Sequence, residues 1–487
     1  MINNLTKEAE YYELSQQQKQ IMLAEDAFKG TSVNTLCVLC HVKTNIPAEK
    51  IKETMEHIVS KIDTFRVRYI EVGDALKQYF ADENNYEVKI VEFQGNPNAY
   101  NDYVTDKRNN CLFGYNKELF DISVIITDSG ETQLLILVHH SIADGWTLSY
   151  LLTEAFCLCM DGKDMEFVSF EDQLRNIKKP ETVGEYWGEK IALLYEDSKL
   201  GENVNPTMDI TANEYNHDLP EGLSESINDV AKRFKVSAAV IFNLAVYINE
   251  SLYKGTDNLS LGFSFYGRRN KREKRTFGVY ARVLPLIYHL DKSHSIGTLL
   301  AEVKSEFYNL FRNSNISYYQ LEKEARDKNV YGNLIETTVS FQNVNFDENV
   351  NKYFSGIEWV TGTTQTIPME IHISDRFSTG NYNIEYDYIG SRFTEAEIKT
   401  YDNHLMTILS ELCSEQSEDN RLLSDIMDCQ HFFRQIFLGY FSDIVQAFDT
   451  LRKNVCGDDY TSLHNPIVLS SVLPAYGMFH SIQILFL

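Results

Sequence analysis

The residues with the clearest capacity for chemistry lie together at positions 139–145, which read His-His-Ser-Ile-Ala-Asp-Gly. An apolar run at 134–138 precedes them, and a helical pattern begins at Trp146. Imidazole titrates near neutrality, so His139 or His140 can take a proton from an amine or a hydroxyl. Asp144 is placed to cap the helix or to pair with a cation, and Gly145 leaves room for a substrate or for backbone. The segment therefore predicts a base beside a carboxylate that shapes its loop.

Consecutive side chains of a strand point to opposite faces, so one of the two imidazoles is expected in the interior and the other beside a cavity. This geometry weighs against a metal site made of His139, His140 and Asp144, because adjacent strand residues rarely converge on one ion. The sequence also offers no third ligand at helical spacing. We therefore predict no metal, and a purely structural role for the histidines stays open as the other alternative.

Other catalytic motifs are missing from the sequence. It contains no Gly-x-Ser-x-Gly elbow, no Walker loop and no dinucleotide fingerprint. Cys37 and Cys40 are spaced Cys-x-x-Cys, but no second pair follows at the spacing of a zinc site. Direct transfer, in which the base activates an incoming nucleophile, therefore fits better than a covalent intermediate.

The elements that must position the motif alternate between strands and helices. Strands at 119–126 and 131–139, joined by a turn at 128–130, predict an antiparallel hairpin, and apolar spacing predicts a helix over 146–160. Ser15 is a predicted helix N-cap, and 161–179 reads as a connector. Further strands are predicted at 33–42, 88–93, 259–265, 281–290, 337–342 and 382–388, and further helices at 48–62, 223–234, 237–251, 296–311 and 395–412.

Composition limits the class of protein. The 487 residues include 45 Lys plus Arg against 70 Asp plus Glu, a net charge of −25 that repels phosphate backbones and anionic lipid. Nucleic acid is therefore not an expected partner. The start of the chain lacks a secretory signal and the eight cysteines form no disulfide framework, so we expect reduced thiols in a cytoplasmic protein.

The order of elements predicts mixed α/β architecture in two lobes, residues 1–165 and 166–428, followed by an atypical apolar tail at 429–487. Within that tail, residues 467–487 are long enough to cross a bilayer. They also contain Pro474, Gly477 and His480, and no basic flank follows. The tail is therefore interpreted as truncated or incidental to the fold rather than as a membrane anchor.

Residues 139–145 resemble the HHxxxDG signature of condensation domains of nonribosomal peptide synthetases, within the superfamily of chloramphenicol acetyltransferase-like acyltransferases. Five further patterns resemble that family in the same order along the chain, although Gln17, Met22, Ile62 and Asp63 depart from it and Arg282-Val283 replaces the usual Asn-Thr. The five are the opening LSxxQxxI at 14–21, the stretch 61–69 with Arg66, the Tyr-Trp segment 186–191, Gly267-Arg268, and 278–286.

The resemblance implies two chloramphenicol-acetyltransferase-like lobes in a V around a central tunnel, with carrier-bound thioesters entering at both ends. It implies amide-bond formation, in which the amine of an acceptor aminoacyl thioester attacks a donor acyl thioester. On that model His140 is the base or positions the amine, and His139 and Asp144 are structural. Asp144 pairs with Arg268, Arg66 is a further structural or salt-bridge residue, and the Gly145 N–H is a candidate oxyanion donor.

The resemblance requires no directly bound cofactor, because phosphopantetheine arms of carrier proteins hold both substrates. The alternatives are a stand-alone acyltransferase acting on a small alcohol or amine, an epimerisation domain, and a non-catalytic platform that docks carriers. The sequence does not identify the donor acyl group, the acceptor amino acid, the place in an assembly line or the oligomeric state.

Overall fold

The computed structural model describes residues 10–43, 45–83, 86–93, 95–176, 182–196, 209–330, 333–342, 348–360, 362–375, 380–414 and 421–424. The chain divides into one compact unit, Met1–Ile426, and a second unit, Met427–Leu487. The second unit lies outside the described residues, and the predictions made for the tail 429–487 therefore fall outside them as well.

The first part of the chain contains a short 3₁₀ turn at Asp63–Arg66 and a π-helical turn at Thr147–Leu152. Its regular elements are α1 (Gln16–Ala27), β1 (Thr35–Val42), α2 (Ala48–Lys61), β2 (Val67–Val72), β3 (Ala75–Phe80), β4 (Lys89–Glu92), α3 (Pro97–Arg108), β5 (Phe120–Ile126), β6 (Thr132–His139), α4 (Thr153–Met160) and α5 (Phe170–Arg175).

The second part again mixes helices and strands. Its elements are α6 (Glu185–Glu196), β7 (Ala212–Asp218), α7 (Leu223–Phe234), α8 (Ala238–Lys254), β8 (Asn258–Phe265), α9 (Lys271–Lys274), β9 (Arg282–His289), α10 (Ile296–Arg312), α11 (Tyr318–Asp327), β10 (Thr337–Gln342), α12 (Glu348–Tyr353), β11 (Phe354–Trp359), β12 (Met369–Ser374), β13 (Asn383–Ile389) and α13 (Glu395–Leu412).

Two large sheets organise these elements. The first has the strand order β11-β1-β6-β5-β4 and the second has the order β7-β13-β12-β10-β8-β9. Strand β11 pairs with β1 in the first sheet, with Trp359 opposite Val38, although it lies far along the chain. The predicted lobe boundary at 165/166 therefore does not separate the two sheets, because β11 returns from the second part of the chain to the first sheet.

The strand that leads to the motif lies at the centre of the first sheet. All eight residues of β6 are buried, and the strand pairs antiparallel with β1 on one side and with β5 on the other. The predicted β5–β6 hairpin and its turn are thus confirmed. A strand with neighbours on both edges and cover on both faces has little freedom to move, so the residue at its end, His139, has a fixed position.

A prediction that depended only on neighbouring residues was confirmed at the start of α1. Ser15 caps α1 in a capping box with Gln18, as its position before the helix predicted. The connector prediction for 161–179 was incomplete, because it contains the short helix α5. Asp63, more than 100 residues away, accepts hydrogen bonds from the backbone N–H groups of Phe170 and Glu171 at the start of α5, both at 3.1 Å. Because Asp63 is so far from α5 along the chain, the sequence around α5 does not indicate this cap.

Within the part of the chain that the structure describes, no single helix has both the length and the apolar composition to cross a bilayer. The consecutive helices α7 and α8 meet the criteria only when taken together, and they are bent by 106° at their junction.

Candidate active site

The motif begins where β6 ends, and its two histidines differ in exposure. His139 is only 1% exposed, whereas His140 is partly exposed. The sequence predicted one buried and one accessible imidazole, but strand alternation is not the cause, because all of β6 is buried. The strand ends at His139, and His140 lies in the turn that follows. Only His140 is therefore open to a substrate.

The ring of His140 is held in one tautomer. Its Nδ1 lies 2.9 Å from the carbonyl oxygen of Ala143, and a carbonyl can only accept, so Nδ1 carries the hydrogen. The backbone N–H of His140 donates to the carbonyl of Asn34 at 2.7 Å. In the neutral ring the lone pair is therefore on Nε2, which is the form a general base needs.

Asp144 is fully buried and accepts hydrogen bonds on both carboxylate oxygens. Oδ1 accepts from the backbone N–H of Thr147 at 3.0 Å and lies 2.7 Å from its Oγ1. Oδ2 accepts from Arg268 Nη1 at 2.6 Å and from the backbone N–H groups of Tyr280 and Ala281 at 2.8 and 3.0 Å. Asp144 thus both caps the helical turn after the motif and pairs with a cation, the two possibilities that its sequence position offered.

The charge of this carboxylate is set by its partners. Burial alone raises the pKa of Asp144, but the charge and hydrogen bond of Arg268 and the donors of Thr147 and Tyr280 outweigh it. The pKa therefore lies below its ordinary value, and the group is a carboxylate at neutral pH. The side chains of Asp144 and Arg268 are both 0% exposed.

Arg268 connects the motif to the segment between β8 and β9, residues 266–281, here called the crossover segment. Arg268 Nη2 donates to Thr147 Oγ1 at 2.8 Å and to the carbonyl of Gly278 at 2.9 Å, and the guanidinium lies 4.5 Å from the ring centre of Tyr280. The preceding Gly267 has φ +71°, and a Cβ there would overlap the carbonyl oxygen of Tyr280. Only glycine fits this position without a shift of the backbone at Tyr280.

The two remaining predicted site residues have simpler surroundings. A Cβ on Gly145 would lie 3.9 Å from the ring of Trp359, so the residue leaves space between the motif and β11. Arg66 donates to the carbonyl of Ala81 at 2.9 Å, and within the described residues it forms no ion pair. Its contact is structural, and the salt bridge proposed for it is absent from this part of the chain. The catalytic role of Gly145 stays a prediction.

Several residues around the motif were missed by the sequence reasoning. Gln18 is fully buried and donates to the carbonyl of Ser141 at 3.2 Å, and it had a signal as the glutamine of the opening pattern. Glu25 lies 3.3 Å from His139, and Trp359 packs beside Gly145. Neither had a signal, because one is an acid within a helix and the other is more than 200 residues from the motif.

Two groups of side chains in the described part of the chain converge closely enough to share a cation. They are His57, Cys159 and Asp164, and Glu214, Glu385 and Asp387. Neither group contains a residue of 139–145. The arrangement at the motif instead offers an imidazole whose Nδ1 is bound to its own loop and whose Nε2 is not, on a loop fixed by a buried ion pair. This arrangement suits proton transfer during attack on an acyl group.

An imidazole placed for proton transfer within a mixed fold of sheets and helices fits an acyltransferase-type protein. The condensation domain family model matches residues 8–428, so the chain belongs to the condensation domain family. Condensation domains of nonribosomal peptide synthetases form amide bonds, an acyltransferase-type reaction.

Curated relatives are much longer than this chain. Surfactin synthase subunit 1 of Bacillus subtilis (strain 168) is 21% identical over 423 residues, which cover 82% of this chain and 12% of the relative. Bacitracin synthase 2 of Bacillus licheniformis is 18% identical over 452 residues, which cover 89% of this chain and 17% of the relative. The chain therefore spans less than a fifth of the length of either synthase.

Solved structures of condensation domains share the fold. The condensation domain of the monacolin K polyketide synthase superposes with a TM-score of 0.68 at 14% identity, covering 84% of this chain and 98% of that domain. The first condensation domain of the CDA synthetase gives a TM-score of 0.66 at 12% identity, covering 85% and 100%. The predicted chloramphenicol-acetyltransferase-like fold is thus confirmed.

Proposed function

We propose that this chain forms an amide bond between a donor acyl thioester and the amine of an acceptor aminoacyl thioester. The amine nitrogen attacks the thioester carbonyl, the C–S bond breaks, and the amide forms. The proton lost by the amine passes by way of His140 Nε2 to the departing thiolate, so the reaction needs no oxidant or reductant. The observation that carries the proposal is the hydrogen bond from His140 Nδ1 to the Ala143 carbonyl, which leaves Nε2 of this partly exposed residue as the acceptor nitrogen.

The other predicted site residues have supporting roles in this proposal. Asp144 and Arg268 hold the motif loop to the crossover segment, and His139 anchors the end of β6 in the core. The backbone N–H of Gly145 is the proposed donor to the oxyanion that develops on the thioester carbonyl. Arg66 fixes the end of β3 through Ala81.

Phosphopantetheinylated carriers are the proposed partners, and they enter between the two proposed lobes, residues 1–165 and 166–428. A cationic stretch supports anionic partners. Residues 268–275, here called the basic segment, contain six Arg or Lys and one Glu in a chain whose net charge is −25. Apart from the buried Arg268, these basic residues are exposed. A phosphodiester lies at the base of each pantetheine arm, so a cationic surface beside the motif would attract the arm.

The test uses donor and acceptor thioesters loaded on carriers, with amide product measured by mass spectrometry. We expect wild type to form product and His140→Ala to lose at least about 100-fold in kcat, the usual size of a general-base contribution. His57→Ala is the matched control, because His57 is an exposed histidine on α2. Equal rates for wild type and His140→Ala would exclude the role given to His140. Carrier binding without product from any pair would favour the docking platform.

A further inference from the structure

A buried carboxylate of α1 lies behind the motif. The Glu25 side chain is 5% exposed, and its Oε2 is 3.3 Å from His139 Nε2 and 2.8 Å from Asn34 Nδ2. Burial raises the pKa of Glu25, but the hydrogen bonds from His139 and Asn34 outweigh it, so the pKa lies below its ordinary value. Glu25 is thus a buried carboxylate with two donors on one oxygen.

The hydrogen bonds of His139 fix its tautomer. The backbone N–H of Ser141 donates to His139 Nδ1 at 3.3 Å, and a backbone N–H can only donate. The ring hydrogen is therefore on Nε2, which donates to Glu25. Burial lowers the pKa of His139, so this ring stays neutral at neutral pH. A carboxylate beside a neutral imidazole is consistent with the lowered pKa of both groups.

The Glu25 carboxylate is also connected to the backbone of His140 by hydrogen bonds of Asn34. The side-chain amide of Asn34 donates to Glu25, and its backbone carbonyl accepts from the N–H of His140 at 2.7 Å. Glu25 therefore contacts both the residue that precedes His140 and the residue that holds its backbone. The three groups come from separate parts of the chain, since Glu25 is in α1, His139 ends β6, and Asn34 lies in the turn directly before β1.

We infer that Glu25 is a positioning residue for the transfer reaction, because one carboxylate oxygen fixes the ring of His139 and, through Asn34, the backbone of His140. This inference rests on the proposed function, in which His140 acts on the amine. Glu25 is buried behind the reacting imidazole. A displacement of His140 by about 1 Å is enough to reduce turnover about 100-fold.

Two substitutions of Glu25 distinguish the effect of its hydrogen bonds from the effect of its charge. Glu25→Ala removes the acceptor of both donors, so we expect kcat to fall about 100-fold while KM for the carrier stays unchanged. Glu25→Gln keeps an oxygen at the position of Oε2, so it should restore kcat to within about tenfold of wild type. Asp26→Asn, at an exposed carboxylate of the same helix, is the control and should match wild type. Equal losses in kcat from Glu25→Gln and Glu25→Ala would overturn the inference.

Hydrogen exchange of the His140 amide tests the inference without turnover. In Glu25→Ala this exchange should accelerate at least about tenfold, while amides in the centre of β6 stay protected. Asn34→Ala, which removes one of the two donors, should give a smaller acceleration and serves if Glu25→Ala does not fold. Unchanged exchange at His140 in the folded variants would contradict the role of Glu25. An inactive wild type with the expected exchange pattern would instead reject the proposed reaction and leave the positioning role supported.

Discussion

At the scale of single residues, the two histidines and the aspartate of the motif differ in how many of their side-chain polar atoms bind other protein groups. Asp144 uses both oxygens for protein donors, and His139 uses both ring nitrogens. His140 uses only Nδ1 for its own loop. A signature of paired histidines and a carboxylate resembles a catalytic relay in sequence, but in the structure the polar atoms of the His139 and Asp144 side chains all bind other protein groups.

Asp144→Asn tests the structural part of this division. It leaves the guanidinium of Arg268 buried without a counter-charge, and we expect it to lower the free energy of unfolding by about 3–5 kcal/mol. Asp172→Asn is the matched control, because Asp172 pairs with Arg272 on the surface, where both side chains are more than half exposed. That loss should be below about 1 kcal/mol. Urea denaturation measures both, and equal small effects would contradict the structural role of Asp144.

The difference in unfolding free energy between wild type and Asp144→Asn should change with pH in a direction that follows from the pKa of Asp144. The pKa of Asp144 in the folded protein is below its ordinary value of 3.8, so on acidification the unfolded chain takes up this proton first. The stabilisation by the carboxylate is therefore complete above about pH 4 and is lost as the pH falls through the lowered folded value. The difference in unfolding free energy between wild type and Asp144→Asn should be constant from about pH 8 to 5 and should decrease only below about pH 4.

At the scale of elements, the crossover segment decides whether the motif is held in place. Its contacts with Asp144 depend on the left-handed backbone of Gly267, beside which Tyr280 passes closely. Gly267→Ala should therefore cost at least about 3 kcal/mol in unfolding free energy and should reduce turnover. Gly255→Ala is the control, since Gly255 also has positive φ, at +64°, but open space around it. It should cost only about 1–2 kcal/mol from backbone strain. Similar losses from both would show that the contact with Tyr280 is unimportant.

Elements with a strong local pattern were predictable from the sequence, and contacts between distant elements were not. The limits of β10 and α13 agree with the predicted 337–342 and 395–412, because each has a clear apolar period. The π-helical start of the helix after the motif, the α5 cap by Asp63 and the return of β11 to the first sheet left no such pattern. At the site, the ion pair of Asp144 and Arg268 was expected only from family resemblance, and Glu25 was not expected at all.

At the scale of the whole molecule, the distribution of charge is uneven. The chain is strongly acidic, yet the basic segment lies beside the residues that hold the motif, with Trp146 Nε1 donating to the carbonyl of Lys274 at 3.3 Å. A cationic surface on an anionic protein directs anionic partners to one place and repels them elsewhere. The proposed carriers should therefore depend on this segment for encounter, whereas the chemistry at His140 should not.

A triple charge-reversal variant distinguishes the effect of the basic segment on carrier binding from any effect on the reaction at His140. It carries Lys271→Glu, Lys274→Glu and Arg275→Glu. With carrier-bound substrates we expect KM to rise about tenfold and its salt dependence to weaken, with kcat little changed, because the variant loses long-range attraction. With free small-molecule thioesters the rates should equal those of wild type. The matched control reverses three exposed lysines on other helices, Lys50, Lys232 and Lys399, and keeps the same net charge. If both triple variants raise KM equally, net charge alone governs encounter; if neither does, the carriers dock away from the basic segment.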